Sequence, residues 1–144
     1  MSGISDDLAT ILFGLDLAGL TTSRTTARIT HAIVDWALAS GWAPRTEARV
    51  LVGQELGFGP ETGYVDVIIR RADDEPDVAI EIDSADKPWS LAKLRHAACA
   101  GMHAIWVRWG DEQWCSAYPD VDVIQLPIVR RPAARRNGGQ LTVW

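Results

Sequence analysis

The chain has 144 residues, a length typical of one domain and sufficient to bury a core without disulfides or a structural metal. Hydrophobic residues at 47% and charged residues at 23% exclude wholesale disorder and a low-complexity scaffold. A net charge of −5 argues against a general nucleic-acid coat protein, yet it leaves room for local basic patches acting beside a metal that offsets nearby acids.

Two cysteines, Cys99 and Cys115, lack metal-ligand spacing, which fits reduced thiols in a cytoplasmic protein and speaks against a zinc site. Residues 1–20 carry Asp6, Asp7 and Asp16 and no basic n-region, so neither a signal peptide nor a transit peptide is expected. Their apolar run is too short and interrupted to span a membrane. Ser5-Asp6-Asp7 can cap a helix over 5–15, with Leu8, Ile11, Leu12 and Leu15 on one face. A second helix is predicted over 24–40, with an apolar stripe of Ala27, Ile33, Val34, Ala37 and Leu38 and with Gly41 as its stop. Arg24, Arg28, His31 and Asp35 recur on its other face, either as a solvated surface or as contacts to phosphates.

After Trp42-Ala43-Pro44, residues 47–56 read as a strand and 58–63 as its turn. Residues 64–71 form a second strand that carries Asp66, the polar run 73–77 turns the chain, and 78–83 form a third strand that carries Glu81 and Asp83. The three make a meander. Pro88 and Gly101 bracket a helix over 89–100, with Ser90 as a candidate cap and Leu91, Leu94, Ala97 and Ala98 facing the sheet. Residues 103–109 give a fourth strand, parallel to the third because a helix joins the two. A further strand over 121–126 precedes a basic tail with Arg130, Arg131, Arg135 and Arg136. The expected fold is α/β, a single domain over 1–144 with a central mixed β-sheet flanked by helices.

Asp66 and Glu81 each interrupt a run of apolar, largely β-branched residues, the pattern of strands buried on both faces. An ionised carboxylate in such a strand is unfavourable unless it is neutralised or meets a cation. Alternation puts Glu81 and Asp83 on the same face, while Ile80 and Ile82 enter the opposite layer. Three acids from two neighbouring strands therefore point to a divalent metal held by Asp66, Glu81 and Asp83. Oxygen ligands suit Mg²⁺, with Mn²⁺ as a substitute and a backbone carbonyl such as that of Ile82 as a further donor. Asp83 can equally be a strand-end residue that caps the following turn. Glu47 and Glu55 are either surface acids or completing ligands.

The order helix, strand, strand with Asp66, strand with Glu81-x-Asp83, helix, strand resembles the core of the PD-(D/E)XK nuclease superfamily over residues 24–109. Ile80-Glu81-Ile82-Asp83 followed by Ser90-Leu91-Ala92-Lys93-Leu94 is similar to small restriction and repair endonucleases of that superfamily. The resemblance implies a restriction-endonuclease-like core and a Mg²⁺-dependent endonuclease acting on nucleic acid, DNA before RNA, with Asp66 and Glu81 holding the metal. The chain departs from the motif where Asp83 occupies the Lys position, two residues after Glu81. A cation would then come from the following helix, with Lys93 best placed and Lys87 second. Arg24, Arg28, Arg130, Arg131, Arg135 and Arg136 would hold backbone phosphates. Two nicks on opposite strands need two sites, which a homodimer would supply. The alternative from another class is a nuclease-fold binding or assembly module that has lost its chemistry, favoured by the missing Lys and the acidic net charge.

His31 and His96 read as ordinary helix-surface residues and Cys99 as a small core residue. Trp36, Trp106 and Trp109 fit core or sheet-edge packing, whereas Trp89 and Trp114, in or near loops, could stack on bases.

Overall fold

Short, largely apolar runs build one five-stranded mixed sheet from β1 (Ala43–Val52), β2 (Glu61–Arg70), β3 (Val78–Asp83), β4 (His103–Gly110) and β5 (Asp122–Pro127), in the spatial order β1-β2-β3-β4-β5. The computed structural model describes residues 3–52, 61–110, 117–127, 135–137 and 140–142. The strands β1, β2 and β3 form the expected antiparallel meander, and β3, β4 and β5 run parallel. The link from β3 to β4 is the helix α3 (Pro88–Cys99), as parallel neighbours require. Helices α1 (Gly3–Phe13) and α2 (Thr22–Ala39) precede the sheet, and two short strands, β6 (Arg135–Asn137) and β7 (Gln140–Thr142), pair with each other apart from it. No helix among the described residues is long and apolar enough to cross a membrane.

Both faces of the sheet are covered. Leu8 and Leu12 of α1 and Ile29, Ile33 and Ala37 of α2 pack on Val67, Ile69, Ile80, Ile82, Ile105, Val107, Trp109, Ile124 and Leu126. On the other face, Leu94 and Ala97 of α3 pack on Val65, Ala79, Ala104, Trp106 and Val121. Ile80 and Ile82 thus enter the layer opposite Ala79, as alternation dictates. Leu91 and Ala98 also pack towards the α3 side, so the predicted sheet-facing stripe of that helix is the real one.

Several local expectations are corrected. Ser5 lies inside α1 rather than at its cap, because its hydroxyl has better partners on the sheet, and Ile11 is exposed while Leu15 falls beyond the helix. The buried row of α2 is Thr25, Ile29, Ile33 and Ala37, whereas Ala27 and Leu38 face solvent. A threonine can occupy that row because its hydroxyl donates to the Thr21 carbonyl at 2.8 Å, leaving no unsatisfied polar group. The helix begins at Thr22, since Thr21 accepts the Arg24 amide as N-cap. The strand β1 starts at Ala43, four residues before the predicted position. Pro44 is tolerated there because β1 is an edge strand. Lys87, not Ser90, is the N-cap of α3, and Cys99 at its other end is exposed rather than in the core.

A discontinuity in β2 positions everything that follows. The β2–β3 ladder runs from Ile69↔Val78 to Val67↔Ile80 and stops one residue short of Asp66 and Glu81. Gly63 and Val65 are buried on the α3 side, yet Val67 and Ile69 are buried on the other, so the strand changes face at Asp66. Opposite Asp66 on β1, between the pairs Thr46↔Val67 and Ala48↔Val65, Glu47 takes a left-handed conformation with φ 52. A non-glycine residue there costs of order 1 kcal/mol, and such strain is typical of sites whose surroundings impose it.

Candidate functional site

Where β2 and β3 part, two carboxylates replace the missing ladder bonds. The Asp66 amide donates to Glu81 Oε2 at 3.0 Å, and the Ile82 amide donates to Asp66 Oδ2 at 2.8 Å. Each acid therefore caps the opposite strand, and the two carboxyl groups lie close enough for Asp66 to shift the titration of Glu81. Glu81 is 1% exposed. Burial above all, then Asp66, pushes its carboxyl up to about 8, with Lys93 opposing the rise.

Lys93 comes from the second turn of α3 and is itself buried. Its ammonium forms an ion pair with Glu81 and donates to the Tyr64 carbonyl at 2.6 Å. The aliphatic stem reaches this position by crossing Gly63, where a Cβ would lie 3.1 Å from Lys93 Cδ and 3.1 Å from Trp89 Cζ2. The glycine is a packing requirement of the lysine, and glycine within a strand was its only trace in the sequence.

Asp83, the next acid on the same face, is turned to other work. One oxygen accepts the buried Trp106 Nε1 at 2.8 Å, and the other pairs with Lys87 at 3.2 Å. Lys87 is 60% exposed and stands at the rim. Neighbouring Arg108 lies over the Trp106 ring at 4.5 Å, with Asp86 4.0 Å from its guanidinium. No group of three or more His, Cys, Asp or Glu side chains suited to a metal ion occurs among the described residues. The expected three-acid centre is thus a two-carboxylate pair, with Asp83 held beside it.

All five predicted site residues of the sheet and α3 meet one cavity of about 380 Å³. Asp66, Glu81, Ile82 and Asp83 form its floor, Ser84, Lys87, Trp89, Ser90 and Lys93 one wall, and Thr22 and Thr26 of α2 the other. It lies past the carboxyl end of β3, facing the first turns of both α2 and α3, whose aligned dipoles place partial positive charge there.

Of the predicted arginines, the two whose side chains are described, Arg24 and Arg28, do not line this cavity. Arg24 and Arg28 are exposed on α2, about half a turn from the Thr22 and Thr26 face, so they project away from it. Arg130 and Arg131 lie outside the described residues, as do Glu55, Trp114 and Cys115, and Arg135 and Arg136 are described only as backbone of β6. Glu47 is exposed on β1 and does not line the cavity. Trp36 packs edge-on against Trp42, while Trp106 and Trp109 are buried.

A second polar cluster is unrelated to the cavity. Ser5, His103 and Asp122 meet through one ring nitrogen: Nε2 is 2.9 Å from Ser5 Oγ and 3.0 Å from Asp122 Oδ2, and Ser5 donates to the same Asp122 oxygen at 2.6 Å. A nucleophilic relay needs the serine and the carboxylate on different imidazole nitrogens. The cluster instead fastens α1 to β4 and β5. Comparison with family models, with curated proteins and with solved structures finds no match to this chain.

Proposed function

We propose that the chain is a divalent-metal-dependent phosphodiester hydrolase with a restriction-endonuclease-like core, acting on nucleic acid, with DNA as the first substrate. The observation that carries this reading is the path of Lys93. It brings an ammonium from α3 to Glu81 beside Asp66, offering the cation that Asp83 cannot provide in the motif's Lys position.

Two adjacent carboxylates on the cavity floor offer oxygen donors of the kind that a hard divalent ion takes, which supports this reading. Mg²⁺ and Mn²⁺ take oxygen donors, and Mg²⁺ is commonly held by one or two carboxylates with water and substrate phosphate completing the shell, so a third acid is not required. Two lysines face three carboxylates in the cavity, leaving one negative charge when all are ionised. A divalent ion would reverse that sign and make the cavity attractive to a phosphodiester. When bound, the ion would neutralise charge on the phosphoryl group and lower the pKa of water.

In this reading Asp66 and Glu81 hold the ion through oxygens already oriented by the backbone amides of the opposing strand. Lys93 keeps a positive charge next to Glu81 and stabilises charge developing on the phosphoryl oxygens. Asp83 acts one step removed, fixing Lys87 at the rim and anchoring to Trp106. The endonuclease would require no rearrangement of the sheet to assemble this pair.

Calorimetric titration of Mn²⁺ into wild type and Asp66→Ala tests the reading, with plasmid, single-stranded DNA and RNA incubated in parallel. Wild type should take up an ion that Asp66→Ala binds far more weakly, and cleavage should vanish in Glu81→Ala. Absence of metal binding by wild type would refute the enzyme. Metal binding without cleavage of any of the three substrates would favour a nuclease-fold binding module, and cleavage persisting in Glu81→Ala would place the site elsewhere.

A further inference from the structure

Ser90 is 4% exposed, lines the cavity, and its hydroxyl has no hydrogen-bond partner among the described residues. Serine hydroxyls in helices often return to a backbone carbonyl, whereas this one stays open to the cavity. Its neighbours are equally open. The N-cap Lys87 makes no side-chain cap bond, Pro88 has no amide hydrogen, and the amides of Trp89 and Ser90 fall in the first turn, where a helix supplies no acceptor. Leu91 is the first whose amide is taken up, by the Lys87 carbonyl at 3.2 Å.

Resting on the hydrolase reading above, we infer that the Ser90 hydroxyl and the first-turn amides of α3 form a phosphate subsite beside Asp66 and Glu81. Its ligand is a phosphoryl oxygen of the nucleic-acid strand, accepting from Ser90 Oγ and from the free amides. The twelve-residue helix contributes its N-terminal partial charge, and Lys87 closes the rim. Ser90 would thereby act as a binding residue that seats the substrate against the carboxylate pair, and Trp89, half-buried on the same wall, bounds the seat.

The test compares wild type with Ser90→Ala in Ca²⁺, using a labelled single-stranded oligonucleotide with either a 5′-phosphate or a 5′-hydroxyl. Alanine is the better helix former and the Ser90 hydroxyl makes no bond among the described residues, so unfolding temperature in the absence of ligand should hold or rise. Oligonucleotide affinity should fall on the order of tenfold, as expected when a hydrogen bond to a charged group is lost, and Mn²⁺ affinity should stay the same. A loss confined to the 5′-phosphorylated strand assigns the subsite to a terminal phosphate, and a loss in both strands assigns it to an internal phosphodiester. Equal oligonucleotide affinity in the two proteins overturns the subsite while leaving the metal reading standing. Wild type that takes up no Mn²⁺ sinks the metal reading alone, because the same comparison repeated in EDTA still decides whether Ser90 holds phosphate.

Discussion

Replacing Glu81 by glutamine isolates the most perturbed group of the cavity. The amide keeps the shape of the protonated acid and cannot ionise. In the metal-free wild type the fold raises the Glu81 carboxyl from 4.5 to about 8, burial being the largest cause, followed by Asp66 and opposed by Lys93. A carboxyl held protonated by the fold contributes stability that is complete below its unfolded value and is lost as pH rises through the folded one. Between pH 6 and pH 8 the loss is about 2 kcal/mol, which lowers the unfolding temperature by roughly 4–8 °C in a domain of this size. Thermal unfolding in EDTA at pH 6, 7 and 8 should therefore give a falling series for wild type and a flatter one for Glu81→Gln. Parallel slopes would refute the reasoning, since they would mean that Glu81 is already ionised at pH 6 in its pair with Lys93. Mn²⁺ should counter the wild-type decline, because the ion takes the carboxylate form and its binding strengthens as the proton leaves.

Lys93→Met should lower cleavage by about a hundredfold or more while Mn²⁺ still binds. Loss of the donor to the Tyr64 carbonyl should cost about 1–3 kcal/mol on denaturant unfolding. Gly63→Ala places a methyl against Lys93 and Trp89, so it should destabilise by about 1–3 kcal/mol and reduce cleavage with it; wild-type stability in that variant would show that the lysine stem is not held there. Asp83→Asn keeps an acceptor for Trp106 but frees Lys87. It should cost about 1 kcal/mol and leave Mn²⁺ affinity unchanged by calorimetry, whereas Asp66→Asn should reduce that affinity sharply.

Much of the scaffold was readable because it depends on short-range pattern. The β-branched runs around Asp66 and Glu81, the polar turn at 73–77, and Pro88 and Gly101 around α3 pointed to β2, β3 and β4 and to their directions. Lys93 was readable only as a candidate cation, since its pairing with Glu81 depends on a stem that crosses β2 at Gly63, thirty positions earlier in the chain. The fate of Asp83 was not readable. Alternation correctly put it on the face of Glu81, but the indole that claims it sits on β4, twenty-three positions later. The buried stripe of α2 was misjudged for a related reason, because Thr25 looks polar until its hydroxyl is seen bonded to Thr21. The change of face at Asp66 lies beyond any period-two reading, which assumes that a strand keeps its sides.

The two acids that stand in for absent rungs between β2 and β3 belong to the scaffold as much as to any chemistry. Even a chain of this fold that cut nothing would be under pressure to keep both, since losing either leaves a strand amide stranded. Their presence in another chain would therefore be poor testimony to activity, and the residue to look for first would be the lysine that reaches them across a glycine.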